Sequence, residues 1–271
     1  MTRFFILGTA RCGSNFFLNL LSSHKNIFVY EELFNLDRLS RDLAGIIIEN
    51  PVKYLEDKLY AKFHEDIMAV CFKIFYDHFT PDYFIKNIDV NSSNEYNRNR
   101  MVSFDDFINK TYKKEYLEQQ FNKLWNYLGG DNDLKIIHLK RRNLLKTYLS
   151  LKKAYTTGEW LKIKDTSCNS NRKITIDYPE CLKYFERIET FEKKYDDFFR
   201  HKNVLTLFYE DLAQNQELAL ASIFNFLSIP SQRLRSVLKK QIQGTLQENI
   251  INYPEAKQFF NNSKWIKYFE E

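Results

Sequence analysis

The chain has 271 residues, of which 44% are hydrophobic and 16% aromatic, so it can build the core of a single domain over residues 1–271. Its formal net charge is +5, and the basic residues are spread through the whole sequence. This charge is too small for a dedicated nucleic-acid binder of this length and favours a small anionic ligand.

The N-terminal segment places an apolar run, a polar loop bracketed by glycines and a second apolar run in direct succession. These are Phe4–Leu7, Gly8–Asn15 and Phe16–Leu18. The order predicts a strand, an anion-binding loop and a helix, because loop N–H groups and the positive end of the helix dipole bind phosphate or sulfate. Arg11 adds a full positive charge at the centre of the loop. The alternative is that the glycines only form a turn.

The loop departs from the Walker A consensus of NTPases. After Gly13, the consensus lysine and hydroxyl residues are replaced by Ser14 and Asn15. This loss, together with the lack of an evident carboxylate for Mg²⁺, argues against a P-loop-type nucleotide or small-molecule kinase. That kinase and a noncatalytic nucleotide-binding module are the two alternatives to the function inferred below.

Apolar runs alternate with amphipathic segments along the chain, which predicts an α/β fold with a central, mainly parallel sheet flanked by helices. The predicted strands are Arg3–Leu7, Ile27–Tyr30, Val70–Phe75, Lys135–Leu139 and Val204–Phe208. The clearest predicted helices are Asp106–Leu128, which is expected to stop at Gly129–Gly130, Pro179–Phe199 and Glu217–Leu227.

A second candidate for anion binding follows the predicted strand that ends at Leu139. Residues 134–153 contain many lysines and arginines and no carboxylate. On a helix that begins near Arg142, Ser150 lies about two turns further along, so a guanidinium and a hydroxyl could bind one phosphate. A solvated basic helix face is the alternative interpretation.

Together, the two segments resemble the phosphate-binding motifs of the PAPS-dependent sulfotransferases, in particular the bacterial and carbohydrate-modifying branch. In that family a loop of the type Arg/Lys-x-Gly-Ser/Thr-Thr binds the 5′-phosphosulfate, and an Arg-(Asn/Asp)-Pro segment with a later Ser binds the 3′-phosphate. The matching residues are Arg11, Cys12, Gly13, Ser14 and Asn15 in the first motif, and Arg142, Asn143 and Ser150 in the second. Leu144 replaces the usual proline, and Asn15 replaces a common second hydroxyl.

Two further segments extend the resemblance toward the C-terminus. Val204–Leu212 is similar to the late core strand of the family with its Tyr-Glu-Asp-Leu exit, and Glu248–Tyr253 is similar to its C-terminal segment. The resemblance implies a P-loop-like three-layer sandwich. Glu210 and Asp211 are expected to cap the helix that follows the strand.

The resemblance also implies the reaction, which is in-line transfer of a sulfuryl group from PAPS to an acceptor hydroxyl, such as that of a carbohydrate or glycolipid. Arg11 and the loop amides would hold the phosphosulfate and stabilise the charge that develops on the bridging oxygen. The leaving group is already a stable phosphate, so no metal is expected.

Family resemblance assigns catalytic roles to three further residues. Lys73 is a charge in an otherwise apolar run and is implied to reach the sulfuryl group; a strand-edge lysine is the alternative. Glu32, rather than Glu31, is implied to be the general base, with a pKa raised by desolvation at the end of a buried strand. The paired glutamates could instead stabilise a helix N-terminus. His78 is the alternative base.

The acceptor-binding parts of the chain carry no specific motif. Asn87–Arg100 and Asp165–Lys173 are polar and are expected to be loops that could cover a small-molecule or glycan acceptor. Tyr155 and Trp160 follow the second motif closely enough to line a cleft, but core packing is the simpler interpretation of such aromatics.

The cysteines and the lengths of the apolar runs bear on metals and location. Cys12, Cys71, Cys168 and Cys181 show no CxxC spacing or His cluster, so no structural metal is expected, and Cys12 and Cys71 are most simply buried. No segment reaches the roughly 20 apolar residues that cross a bilayer, and the N-terminal run lacks signal-peptide features. These features predict a cytoplasmic protein without a membrane span.

Overall fold

A central sheet organises the computed structural model, which describes residues 1–80, 106–161, 173–238, 242 and 244–270. Five strands lie in the order β2-β3-β1-β4-β5, and each neighbouring pair is parallel. The strands are β1 (Thr2–Gly8), β2 (Ile27–Glu32), β3 (Ala69–Phe75), β4 (Leu134–Lys140) and β5 (Val204–Phe208). The five predicted strands are confirmed, with small shifts at their ends.

Helices cover both faces of the sheet. They are α1 (Ser14–Leu21), α2 (Arg41–Glu49), α3 (Pro51–Leu59), α4 (Lys114–Gly130), α5 (Leu144–Thr157), α6 (Tyr178–Phe198), α7 (Tyr209–Gln214), α8 (Gln216–Leu227), α9 (Leu246–Asn249) and α10 (Tyr253–Phe260). Residues 106–111 are also helical, and 3₁₀ turns span Leu36–Arg38 and Ile266–Phe269. The predicted helices that end at Phe199 and Leu227 are confirmed within one residue at either end.

Two buried clusters explain why the sheet has helices on both sides. Phe4 and Ile6 of β1 pack with α1 and α8 on one face. Phe5 and Leu7 point to the other face, where a larger cluster includes residues of α2 to α6 and α10. Because both faces are buried, the strands are continuous apolar runs, as is usual for parallel sheets. The predicted three-layer α/β sandwich with a parallel sheet is therefore confirmed.

The prediction of one helix over Asp106–Leu128 is wrong, because the helix is interrupted. Residues 106–111 are helical, Lys113 is extended, and α4 begins at Lys114. Ile108 and Leu117 are both buried, yet they lie about two and a half helical turns apart and would point to opposite sides of a continuous helix. The interruption allows both side chains to reach the same core.

The C-terminal end of α4 also differs from the prediction. The helix continues through Gly129 and Gly130 instead of stopping there. A Cβ on Gly129 would lie 2.9 Å from Cζ of Phe198. Gly129 is therefore required for close packing of α4 against α6 and not for a helix stop.

Two further expectations concern the polar loops and the absence of a membrane span. Asn87–Arg100 and all of Asp165–Lys173 except its last residue lie outside the described residues. Within the part of the chain that the structure describes, no helix combines the length and the apolar character needed to cross a bilayer.

Packing of α8 against the sheet gives a first test. Leu227→Ala removes a fully buried side chain, and we expect the free energy of unfolding to fall by about 2–5 kcal/mol. Leu218→Ala is the matched control on the same helix, because its side chain is 73% exposed and its loss should change stability by less than about 0.5 kcal/mol. Urea unfolding followed by circular dichroism measures both. Equal losses would contradict the packing described here.

Candidate functional site

The strand order indicates that a ligand would bind at the carboxyl edge of the sheet. All strands are parallel, so the loops that follow them meet at the carboxyl edge. The chain leaves β1 toward β2 on one side and later reaches β4 on the other side of β1. Ligands of open α/β sheets bind at such a switch point, and the two predicted anion-binding segments follow β1 and β4.

The loop after β1 has a backbone that only certain residues adopt. Gly13 has φ 97° and forms the N-cap of α1, and Arg11 has φ 68°. A Cβ on Gly13 would lie 2.1 Å from Cδ2 of Tyr209, so glycine is required by both backbone and space. The first N–H groups of α1 have no acceptor within the helix, which is the geometry that binds anions.

Arg11 joins the two predicted segments directly. Its Nε donates a hydrogen bond to Oγ of Ser150 at 3.0 Å, and Nη1 of Arg141 donates to the carbonyl oxygen of Arg11 at 3.1 Å. Burial and the charge of Arg141 lower the pKa of Arg11 to about 10, so it remains protonated at neutral pH. The structure thus places both segments at one location.

Arg11 also holds the segment after α5. Its Nη1 donates to the carbonyl oxygen of Trp160 at 2.6 Å. Sequence reasoning missed this contact, because a backbone carbonyl leaves no signal in residue type.

The start of α5 follows from its cap. The side chain of Asn143 accepts a hydrogen bond from the backbone N–H of Lys146 at 3.0 Å, and its amide donates to the carbonyl oxygen of Tyr268 at the same distance. The helix therefore begins at Leu144, close to the predicted start. Ser150 is buried, two turns further along the helix.

Arg142 lies at the exposed rim of the site. Its guanidinium donates to both carboxylate oxygens of Asp211 at 2.7 and 2.8 Å, and its backbone N–H donates to Glu210 at 3.0 Å. The expectation that these two acidic residues cap α7 is wrong, because they make no side-chain capping bond and contact Arg142 instead. The structure brings Ser150 to Arg11 and Arg142 to Asp211, so shared phosphate binding by Arg142 and Ser150 stays a prediction.

Lys73 is buried in the interior of the sheet. It lies on β3, between β2 and β1, and is 1% exposed. Its Nζ lies 2.8 Å from Oε1 of Glu32, the residue opposite it in the register of β2, and it donates a hydrogen bond to Oδ1 of Asn15. The alternative of a strand-edge lysine is therefore wrong, and Lys73 connects Glu32 to the first turn of α1.

Glu32 does not have the raised pKa that the sequence suggested. Burial raises the pKa, but the charges of Lys73 and His78 and hydrogen bonds from Lys73 and Asn35 lower it to about 2. Local sequence indicated the burial but not these partners. Glu31 is exposed, so only the second of the paired glutamates contacts Lys73.

His78 follows β3 and is buried, with its ring centroid 4.8 Å from that of Phe75. Burial lowers its pKa, whereas the negative charges of Glu32, Asp77 and Asp37 raise it. His78 is therefore an interior residue, and its role as the alternative base stays a prediction. Its electrostatic coupling to Glu32 means that the two candidate bases lie in one local environment.

The side chain of Cys12 is fully buried. It belongs to the same buried cluster as Phe4 and Ile6, and burial raises its pKa. Its backbone N–H donates to the carbonyl oxygen of Thr9 at 3.3 Å. The predicted burial of Cys12 and Cys71 is confirmed.

Across residues 1–80, 106–161 and the other described ranges, no group of three or more His, Cys, Asp or Glu side chains could hold a metal ion.

Curated relatives of the chain are nodulation proteins. It is 30% identical to nodulation protein H of Rhizobium tropici over 152 residues, which are 55% of this chain and 59% of that protein. It is 27% identical to nodulation protein H of Rhizobium meliloti over 139 residues, which are 51% of this chain and 56% of that protein. The chain thus spans a little over half the length of the curated relatives it matches.

Comparison with structures and with a family model covers more of the chain. A crystal structure of a sulfotransferase from Alicyclobacillus acidocaldarius has a TM-score of 0.45 and 15% sequence identity, over 96% of this chain and 92% of that one. The model of the Sulfotransferase family matches residues 3–233. Because this match covers most of the chain and contains the sheet and both predicted anion-binding segments, the chain belongs to the sulfotransferase family.

Proposed function

We propose that this protein transfers a sulfuryl group from PAPS to a hydroxyl of a small-molecule or glycan acceptor, as in the carbohydrate-modifying branch that its motifs resemble. The hydrogen bond from Arg11 to Ser150 carries the proposal, because it joins the 5′- and 3′-phosphate motifs at one place. One doubly phosphorylated adenosine can then contact both.

We also propose a cytoplasmic location, where reduced thiols such as the buried Cys71 and Cys181 persist.

The donor would be held at its two phosphorylated ends. Arg11 and the N–H groups at Gly13, Ser14 and Asn15 would bind the 5′-phosphosulfate, with Cys12 contributing only backbone. Arg142 and Ser150 would bind the 3′-phosphate. Arg142 then exchanges the carboxylate of Asp211 for phosphate, and both are partners that guanidinium binds in a bidentate manner.

Lys73 would neutralise charge on the sulfuryl oxygens during transfer. Its position two residues before the end of β3, in contact with Asn15 of α1, supports this role. The acceptor oxygen forms a bond to sulfur while the bond from sulfur to the bridging phosphate oxygen breaks, and adenosine 3′,5′-bisphosphate leaves. Preorganised positive charge at that point stabilises the transition state.

Glu32 would accept the proton of the acceptor hydroxyl. With Lys73 beside it, its pKa of about 2 makes it a weak base. When the charge of Lys73 is shared with sulfuryl oxygens, less of that charge acts on Glu32 and its pKa rises toward the range of an effective base. His78 is the alternative acceptor of this proton, since burial favours its neutral form.

The 3′-phosphate assignment can be tested by binding. Arg142→Ala should weaken binding of adenosine 3′,5′-bisphosphate by roughly 10-fold or more and leave AMP binding unchanged, because a charge-assisted contact to the extra phosphate is lost. Asp211→Asn is the matched control and should not weaken bisphosphate binding, since it removes only the competing carboxylate. Isothermal titration calorimetry measures the affinities. Equal losses for both nucleotides after Arg142→Ala would reject the assignment.

The base can be tested with two neighbouring glutamates. Glu32→Gln should lower kcat by about 100-fold or more and preserve bisphosphate affinity, because it removes the proton acceptor and keeps the shape. Glu31→Gln is the same substitution at the adjacent exposed position and should leave kcat near the wild-type value. Transfer of radiolabelled sulfate from PAPS measures both. Wild-type turnover by Glu32→Gln would move the role to another residue, with His78 next.

Metal removal distinguishes the sulfotransferase from the kinase alternative. We expect EDTA to leave the rate of PAPS-dependent transfer within about twofold, because Arg11, Lys73 and the loop amides supply the positive charge. A thermal-shift comparison should show stabilisation by adenosine 3′,5′-bisphosphate above that by ATP or AMP. A strict requirement for Mg-ATP would favour a kinase, and tight bisphosphate binding without transfer to any acceptor would favour a noncatalytic module.

A further inference from the structure

Two aromatic rings and four charged side chains lie next to the proposed transfer site and have no part in donor binding. We call them the Trp160 cluster, which consists of Trp160, Tyr155, Asp37, Arg38, Asp77 and Arg187. The carbonyl oxygen of Trp160 accepts a hydrogen bond from Arg11 at 2.6 Å. The charges of Asp37 and Asp77 act on the pKa of His78. The cluster therefore borders both the donor loop and the candidate bases.

The aromatic part of the cluster lies just after α5. Gly158 ends that helix in a left-handed conformation, and the chain then reaches Trp160, which is partly exposed. The ring of Tyr155 packs edge-to-face on Trp160, with centroids 5.1 Å apart. The guanidinium carbon of Arg38, an exposed residue, lies 5.6 Å from the centroid of the Trp160 ring. An accessible indole thus sits beside a cation with several N–H donors.

The charged part of the cluster is balanced. Nη2 of Arg187 lies 3.3 Å from Oδ2 of Asp77. Burial and the charges of Asp77 and Asp37 raise the pKa of Tyr155 to about 12, and the charges of Arg187 and Arg38 oppose this rise. Two carboxylates and two guanidinium groups therefore act electrostatically on one phenol. Their formal charges cancel, so the cluster attracts neither an anion nor a cation strongly.

These properties match the surface chemistry of an uncharged sugar. The C–H face of a sugar ring packs on an aromatic face, and its adjacent hydroxyls bind carboxylate acceptors and guanidinium donors. Binding sites of this kind combine apolar walls with a few converging polar groups. A phenolic or steroid acceptor would cover the exposed guanidinium of Arg38 while offering it few hydrogen-bond acceptors, at a cost in free energy.

We propose that the Trp160 cluster is the acceptor subsite and binds a neutral sugar ring, with Trp160 against the ring face and Arg38 and Asp77 at its hydroxyls. This inference rests on the proposed sulfuryl transfer and adds the acceptor class and the residue that recognises it. Trp160 is a specificity-determining residue here, because it contacts acceptor and takes no part in the exchange of bonds at sulfur.

The test measures acceptor and donor separately. Lactose, cellotriose and maltotriose serve as neutral acceptors, with trigalacturonic acid, glucosamine and 4-nitrophenol as charged and phenolic comparisons. We expect the neutral sugars to give the highest kcat/KM with PAPS. Trp160→Ala should raise KM for the best sugar by roughly 10-fold or more, with kcat and bisphosphate affinity within about twofold of wild type. Trp160→Phe should restore part of the loss.

A matched control is a second exposed aromatic residue that has an arginine over its ring. Tyr60 is 54% exposed, and the guanidinium carbon of Arg3 lies 4.0 Å from its ring centroid, so it is also an exposed aromatic residue with an arginine over the ring. Tyr60→Ala should leave the KM for acceptor unchanged. Calorimetric titration of the same sugars into the complex with adenosine 3′,5′-bisphosphate gives a binding readout that does not depend on turnover.

The outcomes separate this inference from the proposed function. Preference for a charged or phenolic acceptor, no binding of any of the three neutral sugars, or an unchanged acceptor KM in Trp160→Ala would overturn the sugar subsite while leaving PAPS-dependent transfer intact. A wild-type protein that neither binds the bisphosphate nor transfers sulfate would instead overturn the proposed function, and the subsite with it.

Discussion

The buried ammonium of Lys73 is the constraint on which the geometry of the site depends. A lysine that is 1% exposed within an interior strand is tolerated only when its charge and its N–H groups have partners. Glu32 and Asn15 provide them. Because these partners come from β2 and α1, one ion fixes the edge strand β2, the interior strand β3 and the helix behind the loop after β1 relative to each other. Loss of the Glu32 carboxylate would leave the charge of Lys73 uncompensated in the core, and loss of Asn15 would remove a hydrogen-bond acceptor of that ammonium.

Each cation of the proposed donor site is paired with a group of the chain itself. Arg11 contacts Ser150, Arg142 contacts Asp211, and Lys73 contacts Glu32. This arrangement limits the repulsion that several converging positive charges would otherwise cause. It also means that ligand affinity is a difference between contacts to the ligand and contacts within the protein, so measured binding energies will be smaller than the number of phosphate contacts suggests.

The sequence predicted the positions of the strands well, but it did not predict which side chains contact each other across the fold. Parallel strands buried on both faces are continuous apolar runs, so their positions can be recognised locally, and the same holds for the loop around Gly13. The interruption of the helix near Lys113 arises because Ile108 and Leu117 must both reach the same core, and the local sequence does not show that they share it. The ion pair of Arg142 with Asp211 joins residues 69 positions apart, and the low pKa of Glu32 depends on Lys73 of another strand. Such properties arise from tertiary contacts that no local pattern contains.

The contact of Gly13 with Tyr209 makes two positions in distant parts of the chain interdependent. A methyl group at position 13 would occupy the space of the tyrosine ring, and that ring stands at the first residue of α7, two residues before Asp211. Any enlargement of the loop would therefore displace the carboxylate that holds Arg142. The positive φ of residue 13 favours glycine independently of the ring, so a smaller residue at 209 removes only the steric part of the barrier. Homologues that lose this glycine should therefore carry both a small residue at the start of α7 and a changed loop backbone.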